Sequence, residues 1–475
     1  MKAATAEALP PPSPGRPAAV PAVSGAVVGA GFAGTMAAIQ LSRLLPPDHV
    51  VLLLDGSGRF GRGVAYADTR TPYLLNVRAG NMSAFPDDPG HFERWLAKHE
   101  ATDPAEVSDG PEGRFATRRL YGRYLRTLLR EEMRRCGGRL RLRTATVDAM
   151  APSGSGWRLR CRGDAAVEAS AAVVALGNLP SGQICDGAVF HNPWAPEALA
   201  GLRPDEPVVI VGTGLTMVDL TLGLVDRGLT GPIVAVSRRG LLPQRHAAPE
   251  PPVPPDWLGG VDAGSMTALL RAVRHQVADA AERGTSWRTV IDGLRPVTAQ
   301  LWQSLPRTEQ RRFLRHLRPY WDSHRHRRPL GPADVVDGLL RRGQLRVVSG
   351  TVEHVDVRHG PHGPAVAVRI RRRGCGGTET VAAQRVIHAM GAGKPGEGLS
   401  GRMIADGIAA PDPFGLGLDV DGALCLSGPD GGSAERGLWC LGPPTRGRFW
   451  ESTSVPDIRV QAARVAAEVA VLMRR

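Results

Sequence analysis

A strand, a glycine turn, an apolar helix and a second strand occur twice in this chain at the same spacing. Residues 23–34 read VSGAVVGAGFAG, and the apolar run TMAAIQLSRLL that follows stops at Pro46-Pro47. HVVLLLD at 49–55 is then apolar throughout, as a parallel strand buried on both faces is. Residues 208–214 read VVIVGTG, followed by LTMVDLTLGLVDRG and by PIVAVSRR at 232–239. Gly29 to Asp55 and Gly212 to Arg238 are both 26 residues apart. Each unit leads into alternating strands, at 140–162 and 345–373, and then into an apolar strand, VVALGN at 173–178 and VIHAMGAG at 386–393. Parallel strands joined by a crossover helix admit few topologies. The duplication predicts an α/β fold: two nested Rossmann-like dinucleotide-binding domains with a helical insertion.

The glycines say what such units hold. In Gly29-Ala30-Gly31-Phe32-Ala33-Gly34 the first glycine permits a tight turn, and the second lets backbone approach a pyrophosphate. The third lets helix pack on strand. The helix N-terminus adds N–H donors and positive dipole. Asp55, at the end of the second strand, can accept both ribose hydroxyls. The second motif, Gly212-Thr213-Gly214-Leu215-Thr216-Met217, lacks the third glycine, so Met217 calls for looser helix–strand packing. Arg238 and Arg239 stand where a carboxylate would select NAD, and a guanidinium there suits a 2′-phosphate. The competing reading is compositional: lysine occurs three times, so nearly all of the 59 basic residues are arginine. Two modules read as one flavin and one nicotinamide, FAD in the first and NADPH in the second.

The chain has 475 residues, and no stretch approaches the roughly 18 uninterrupted apolar residues of a membrane span. A net charge of +13 favours anionic ligands. Aromatics at 5% and no recognisable nucleic-acid module speak against nucleic-acid binding. The six cysteines form no CxxC pair and no zinc spacing, which fits idle thiols in a reducing cytoplasm. Residues 1–22 are Pro/Ala-rich without an apolar core and read as a disordered leader. The domain plan is then an FAD-binding domain at 23–200, an NADP-binding domain at 201–395, and a completing FAD-binding part at 396–475. Residues 262–342 form the helical insertion, with proline breaks at 296, 306, 319 and 329. Its run HLRPYWDSHRHRRP (316–329) reads as a solvated basic face or as a site for an anionic substrate or the NADPH phosphate. His324 and His326, two apart, do not share a helix face, and no metal site is expected.

Several segments carry a resemblance. GRGVAYADTRTPYLLNVRAGNMSAFPDDPGHFERWL (61–96), FATRRLYGRYL (115–125), VVIVGTGLTMVDL (208–220), VSRRGLLPQRH (236–246), MGAGKP (390–395), PDPFGLGLDVD (411–421) and LGPPTRGRFWESTSVPDIRVQA (441–462) resemble bacterial FAD/NAD(P)-binding proteins related to class B flavin monooxygenases and amino-acid N-hydroxylases. The resemblance implies FAD contacts at Gly29, Gly31, Phe32, Gly34 and Asp55. It adds Arg62, Gly63, Val64 and Tyr66, and Asn76, Met82 and Ser83, whose stretches would approach the flavin. Val147 would hold adenine through its backbone. Gly177, Gly442 and the loop before Asp457 would complete the site. Gly212, Thr213, Gly214, Thr216, Arg238 and Arg239 would hold NADPH. The family's linker fingerprint is partly present: Gly187 and His191 keep the G-x-x-x-H spacing, but Cys185 stands where Phe is expected. His191 is therefore either a positioning residue for NADPH or a linker histidine. The implied activity is an NADPH-using, FAD-dependent oxidoreductase, monooxygenase-like, with O2 as co-substrate and a small nucleophilic amine or sulfur compound as substrate. Two alternatives stay open: a reductase without oxygen insertion, and a non-catalytic flavin-binding redox sensor. Catalytic side chains, substrate and oligomeric state are not legible.

Overall fold

The computed structural model describes residues 23–474 apart from 68–72, 100–105, 179–183, 186, 361–362, 375, 392, 394 and 430–436. The expected leader at 1–22 lies outside the described residues. The first glycine unit folds as β1 (Val23–Val28), α1 (Phe32–Leu44) and β2 (Val50–Leu54). Then come α2 (His91–His99), the hairpin β3 (Val107–Gly110) and β4 (Gly113–Ala116), and α3 (Arg118–Arg135). Strands β5 (Leu140–Arg143), β6 (Val147–Ser153), β7 (Gly156–Cys161) and β8 (Val167–Val174) complete the run. The sheet order is β5-β2-β1-β8-β7-β6. The four strands β5 to β8 in that order are parallel, and β7 and β6 return antiparallel.

The second sheet takes β9 (Ile184–Cys185), β10 (Val189–Phe190), β11 (Val208–Val211), α4 (Leu215–Asp226) and β12 (Ile233–Ser237). Five helices follow: α5 (Met266–Glu282), α6 (Trp287–Gly293), α7 (Thr298–Ser304), α8 (Arg307–Arg312) and α9 (Arg318–Arg325). Then α10 (Leu330–Arg341) leads to β13 (Leu345–Gly360), β14 (Gly363–Arg372), β15 (Thr378–Ala383) and β16 (Arg385–His388). The order is β15-β14-β13-β12-β11-β16-β10-β9. Its parallel centre, β13-β12-β11-β16, repeats the β5-β2-β1-β8 order of the first sheet. The long β13 serves both halves: Leu345–Ser349 pairs with β12, and the rest turns antiparallel to β14.

The chain closes with α11 (Gly398–Ala405), β17 (Leu438–Cys440) and α12 (Val455–Leu472). β17 pairs parallel with the end of β8, and α12 packs on α1, so the C-terminal segment returns to the first sheet. The 262–342 stretch is not one unit. Its last helix, α10, packs on α4, and Val336 and Leu339 join the core of the second module. α10 is thus the crossover between β12 and β13. Helices α5 to α9 instead build a satellite core around Met266, Trp302 and Phe313, against Trp450 of the C-terminal segment. Prolines punctuate them: Pro306 and Pro329 precede α8 and α10, and Pro319 opens α9, positions where a missing N–H costs no helical bond.

Candidate functional site

The C-terminal ends of β1, β2 and β8 gather most of the first set of expected residues. Gly29 sits at φ +100°, and a Cβ there would lie 2.3 Å from the Ala175 carbonyl oxygen. A Cβ on Gly34 would fall 1.8 Å from the Gly29 carbonyl oxygen, so helix and strand meet through two glycines. Gly31 is the N-cap of α1; it has no capping side chain, and no acid stands in the first turn. The opening N–H groups of α1 therefore face outward with the helix dipole behind them. Asp55 is fixed beside them. One carboxylate oxygen accepts from the Ala30 amide (2.9 Å), the other from the Ser57 amide (2.8 Å) and hydroxyl (2.5 Å). A carboxylate keeps further lone pairs after three such bonds.

The Arg62–Tyr66 turn closes over this loop. Gly61 donates to the Ala30 carbonyl (3.0 Å), and a Cβ on Gly63 would lie 2.8 Å from the Gly31 Cα. Gly122 of α3 makes room for Tyr66, whose ring meets Tyr121 edge-on at 4.8 Å. Phe32 is buried, its ring 6.3 Å from the same Tyr121, whereas Val64 is 63% exposed. Val147 opens β6 beside the Asp55 turn, where Ala145 donates to the Asp55 carbonyl. Gly177 lies beyond the end of β8. Gly442 follows β17; a Cβ there would stand 3.3 Å from that of Ala33, and its amide donates to Gln461 Oε1 (2.7 Å). These residues form one cradle.

Four expected residues make local contacts of their own. Met82 and Ser83 are buried, and the Ser83 hydroxyl donates to the Asp88 carbonyl (2.6 Å), closing a local turn. What Asn76 presents is its carbonyl, which accepts from Nε2 of the buried His246 (3.0 Å). Burial pushes that histidine down to about 4. The Asp457 carboxylate pairs with Arg295 (3.2 Å) and accepts from the Ser454 hydroxyl.

The second set lines a cavity of about 560 Å³. Gly212, at φ +126°, repeats the role of Gly29: a Cβ would lie 2.4 Å from the Ala389 carbonyl oxygen. Gly214 caps α4 without a side-chain bond and with open space around it, and Thr216 lies on the first turn. Met217 is fully buried in the second core, where the Thr221 hydroxyl donates to its sulfur (3.3 Å). The Thr213 hydroxyl donates to the Leu241 carbonyl (2.6 Å). Arg239 is held by the insertion: it donates to the Tyr320 hydroxyl (3.3 Å) and the His316 carbonyl (3.2 Å). Arg238 is exposed, and its guanidinium has no partner among the described residues. The His191 ring lies 4.3 Å from that of His388, tilted by 35°, and His388 stands two residues before the cavity's Met390.

The rest of the cavity wall comes from two other segments, of which only the 316–329 run was a candidate from sequence. α9 and its end supply Arg318, Asp322 and His326, and the C-terminal loop supplies Arg446, Trp450, Glu451 and Thr453. The arginine-rich run 316–329 was the visible signal for the first group. Burial pushes the Arg446 guanidinium down, and its Nε has no hydrogen-bond partner among the described residues. An anion on that face would supply one. Glu451 is 5% exposed. Burial alone would raise its carboxyl, but Arg325 (3.4 Å), His326 and the Trp321 indole N–H (2.8 Å) hold it below the usual range. Both glycine cradles, with their uncapped helix starts, fit dinucleotide pyrophosphates, and the cationic second cavity fits the more anionic one.

Residues 26–179 match the family model described as FAD-NAD(P)-binding. No curated protein sequence matches the chain. Among solved structures, a reduced ornithine hydroxylase from Pseudomonas aeruginosa superposes with a TM-score of 0.62 at 16% identity, covering 95% of this chain and 100% of that one. An ornithine N-hydroxylase from Kutzneria sp. 744 gives 0.61 at 13%, with the same coverage. An L-lysine 6-monooxygenase from Pseudomonas syringae gives 0.60 at 16%, covering 94% and 99%. Residues 26–179 are thus an FAD/NAD(P)-binding domain, set in a fold that this chain shares with flavin-dependent hydroxylases.

Proposed function

We propose that this chain is an FAD- and NADPH-dependent oxidoreductase of the monooxygenase kind, which transfers one oxygen atom of O2 to a nucleophilic amine or sulfur while NADPH is oxidised and water is released. FAD would lie on the first cradle, held by residues of 23–200 and 396–475. NADPH would lie in the second cavity, held by residues of 201–395. The observation that carries this reading is the repeated strand order with an uncapped, glycine-opened helix at the same place in each sheet. The neighbours' activities on ornithine and lysine support an amine as the nucleophile.

When bound, the flavin supplies hydride acceptance and oxygen chemistry. The protein's part is to bind and orient. The start of α1 meets pyrophosphate and Asp55 meets ribose hydroxyls. Arg238 meets the 2′-phosphate, and Arg446 offers its unpartnered Nε to a further phosphate oxygen. Trp450 and Glu451, the latter paired with Arg325, line the NADPH cavity.

The test is NADPH-driven turnover under ¹⁸O2 with primary amines and thioethers, read by product mass. One heavy oxygen per product supports the proposal. Reduction of quinones or cytochromes without labelled product would instead support a reductase.

A further inference from the structure

Behind the nucleotide cavity lies a second chamber of about 640 Å³, walled by helices α5 to α9. One helix separates the two. Arg318, Asp322 and Ser323 of α9 face the nucleotide cavity, while Tyr320, Trp321 and His324 face the chamber. Trp450 lines both. The chamber's own wall is apolar and aromatic, and four of the chain's nine tryptophans stand in it: Trp287, Trp302, Trp321 and Trp450.

Helix α5 shows that the space is built. Met266, Leu269, Leu270, Val273 and Val277 repeat at helical spacing, an apolar stripe that a bundle ordinarily covers. Here Leu270, Val273 and Val277 stay partly exposed because they look across the chamber. Opposite them, a five-residue π-helical turn at Phe313–Leu317 turns Phe313 and Leu317 toward the same space. The space opens to solvent on one side, and a contiguous apolar face exposed in this way marks a binding site. A volume in the range of roughly 300–1,000 Å³, apolar with few polar groups, is what small-molecule sites have.

The polar groups in the wall name the ligand. The Thr298 hydroxyl donates to the Leu294 carbonyl (2.8 Å). The indoles of Trp302 and Trp321 donate to the Gly447 carbonyl and to Glu451 (both 2.8 Å). Arg274, at the exposed rim, is the one arginine among the described residues of the wall, and it has no ion-pair partner among them. Among the described residues no carboxylate lines the chamber, so a diamine-like side chain would find no counter-charge there. We propose that the chamber binds a lipophilic carboxylic acid, its acyl or aryl body against the tryptophans and the α5 stripe and its carboxylate on Arg274. The chamber adjoins the NADPH cavity through α9 and Trp450, but its ligand follows from its own wall and not from the reading given to that cavity.

The test titrates the purified protein with decanoate, decan-1-ol and decylamine, following tryptophan fluorescence. Saturable binding is expected, tightest for decanoate. Arg274→Ala should weaken decanoate at least tenfold and leave decan-1-ol within twofold. Val273→Trp, which fills the chamber, should remove binding of both while the far-UV circular dichroism and melting temperature stay unchanged. Should that variant fail to fold, Leu270→Phe tests the same wall with a smaller change. The proposal is overturned if the wild-type protein binds none of the three saturably, or if Arg274→Ala weakens acid and alcohol alike. It is also overturned if sedimentation shows a dimer that Val273→Trp abolishes, since a second copy would then cover the stripe.

Discussion

Replacing Arg238 by alanine should separate NADPH from NADH. The two nucleotides differ by one phosphate, and Arg238 is the exposed guanidinium at the end of β12 with no partner among the described residues. Arg239 beside it is already engaged with Tyr320 and His316. A hydrogen bond to a charged group is worth about 1.5–3 kcal/mol, and exposure puts this one at the lower end. About 1.4 kcal/mol is tenfold in affinity, so Arg238→Ala should raise the KM for NADPH roughly tenfold and leave that for NADH nearly unchanged. Arg239→Ala should do less, because its guanidinium already has partners and the loss is shared with the fold. The assay is flavin reduction by each nucleotide in a stopped-flow instrument under anaerobic conditions. An equal rise in both KM values would refute the assignment of Arg238 to the 2′-phosphate.

Three further outcomes follow from the geometry. Gly34→Ala should yield protein that loses its flavin on gel filtration, since its Cβ would overlap the Gly29 carbonyl; Gly214→Ala, with no atom within 4 Å of the new Cβ, should keep its fold and melting temperature. Glu451→Gln leaves the buried Arg325 without its counter-charge and should cost roughly 3 kcal/mol, read as a lower urea midpoint at unchanged slope. His246, depressed from 6.5 to about 4 by burial, is neutral when folded, so the unfolded chain binds the extra proton. Its contribution to stability is complete above pH 6.5 and lost as the pH falls toward 4, about 2 kcal/mol by pH 5 at roughly 1.4 kcal/mol per unit. His246→Gln should flatten that part of the stability profile.

The glycine units were legible because their signal is local. Turn, helix start and strand alternation fall within thirty residues, and the 26-residue spacing carried over into two sheets of one strand order. The carboxylate at Asp55 followed from the same register. What escaped is what depends on distant segments. The inner wall of the second cavity joins α9 to the 446–453 loop, more than a hundred residues away, and nothing local in either segment names the other. Within 262–342, α10 and α5 share the same helical period, so sequence could not tell the crossover helix from the satellite bundle. The Ser83 hydroxyl's bond to the Asp88 carbonyl was also not legible, because that bond is set by the fold. Met217 was expected to loosen the second module. It is instead absorbed by the core, because Gly212 alone provides the close approach to Ala389.

The account rests on two nucleotides in one chain. The most direct measurement is the absorbance spectrum of the purified protein under anaerobic conditions, before and after NADPH and then after air. The account predicts flavin bands that bleach with NADPH and return with oxygen. A protein that stays colourless after incubation with FAD, or a flavin that NADPH leaves oxidised, would contradict it.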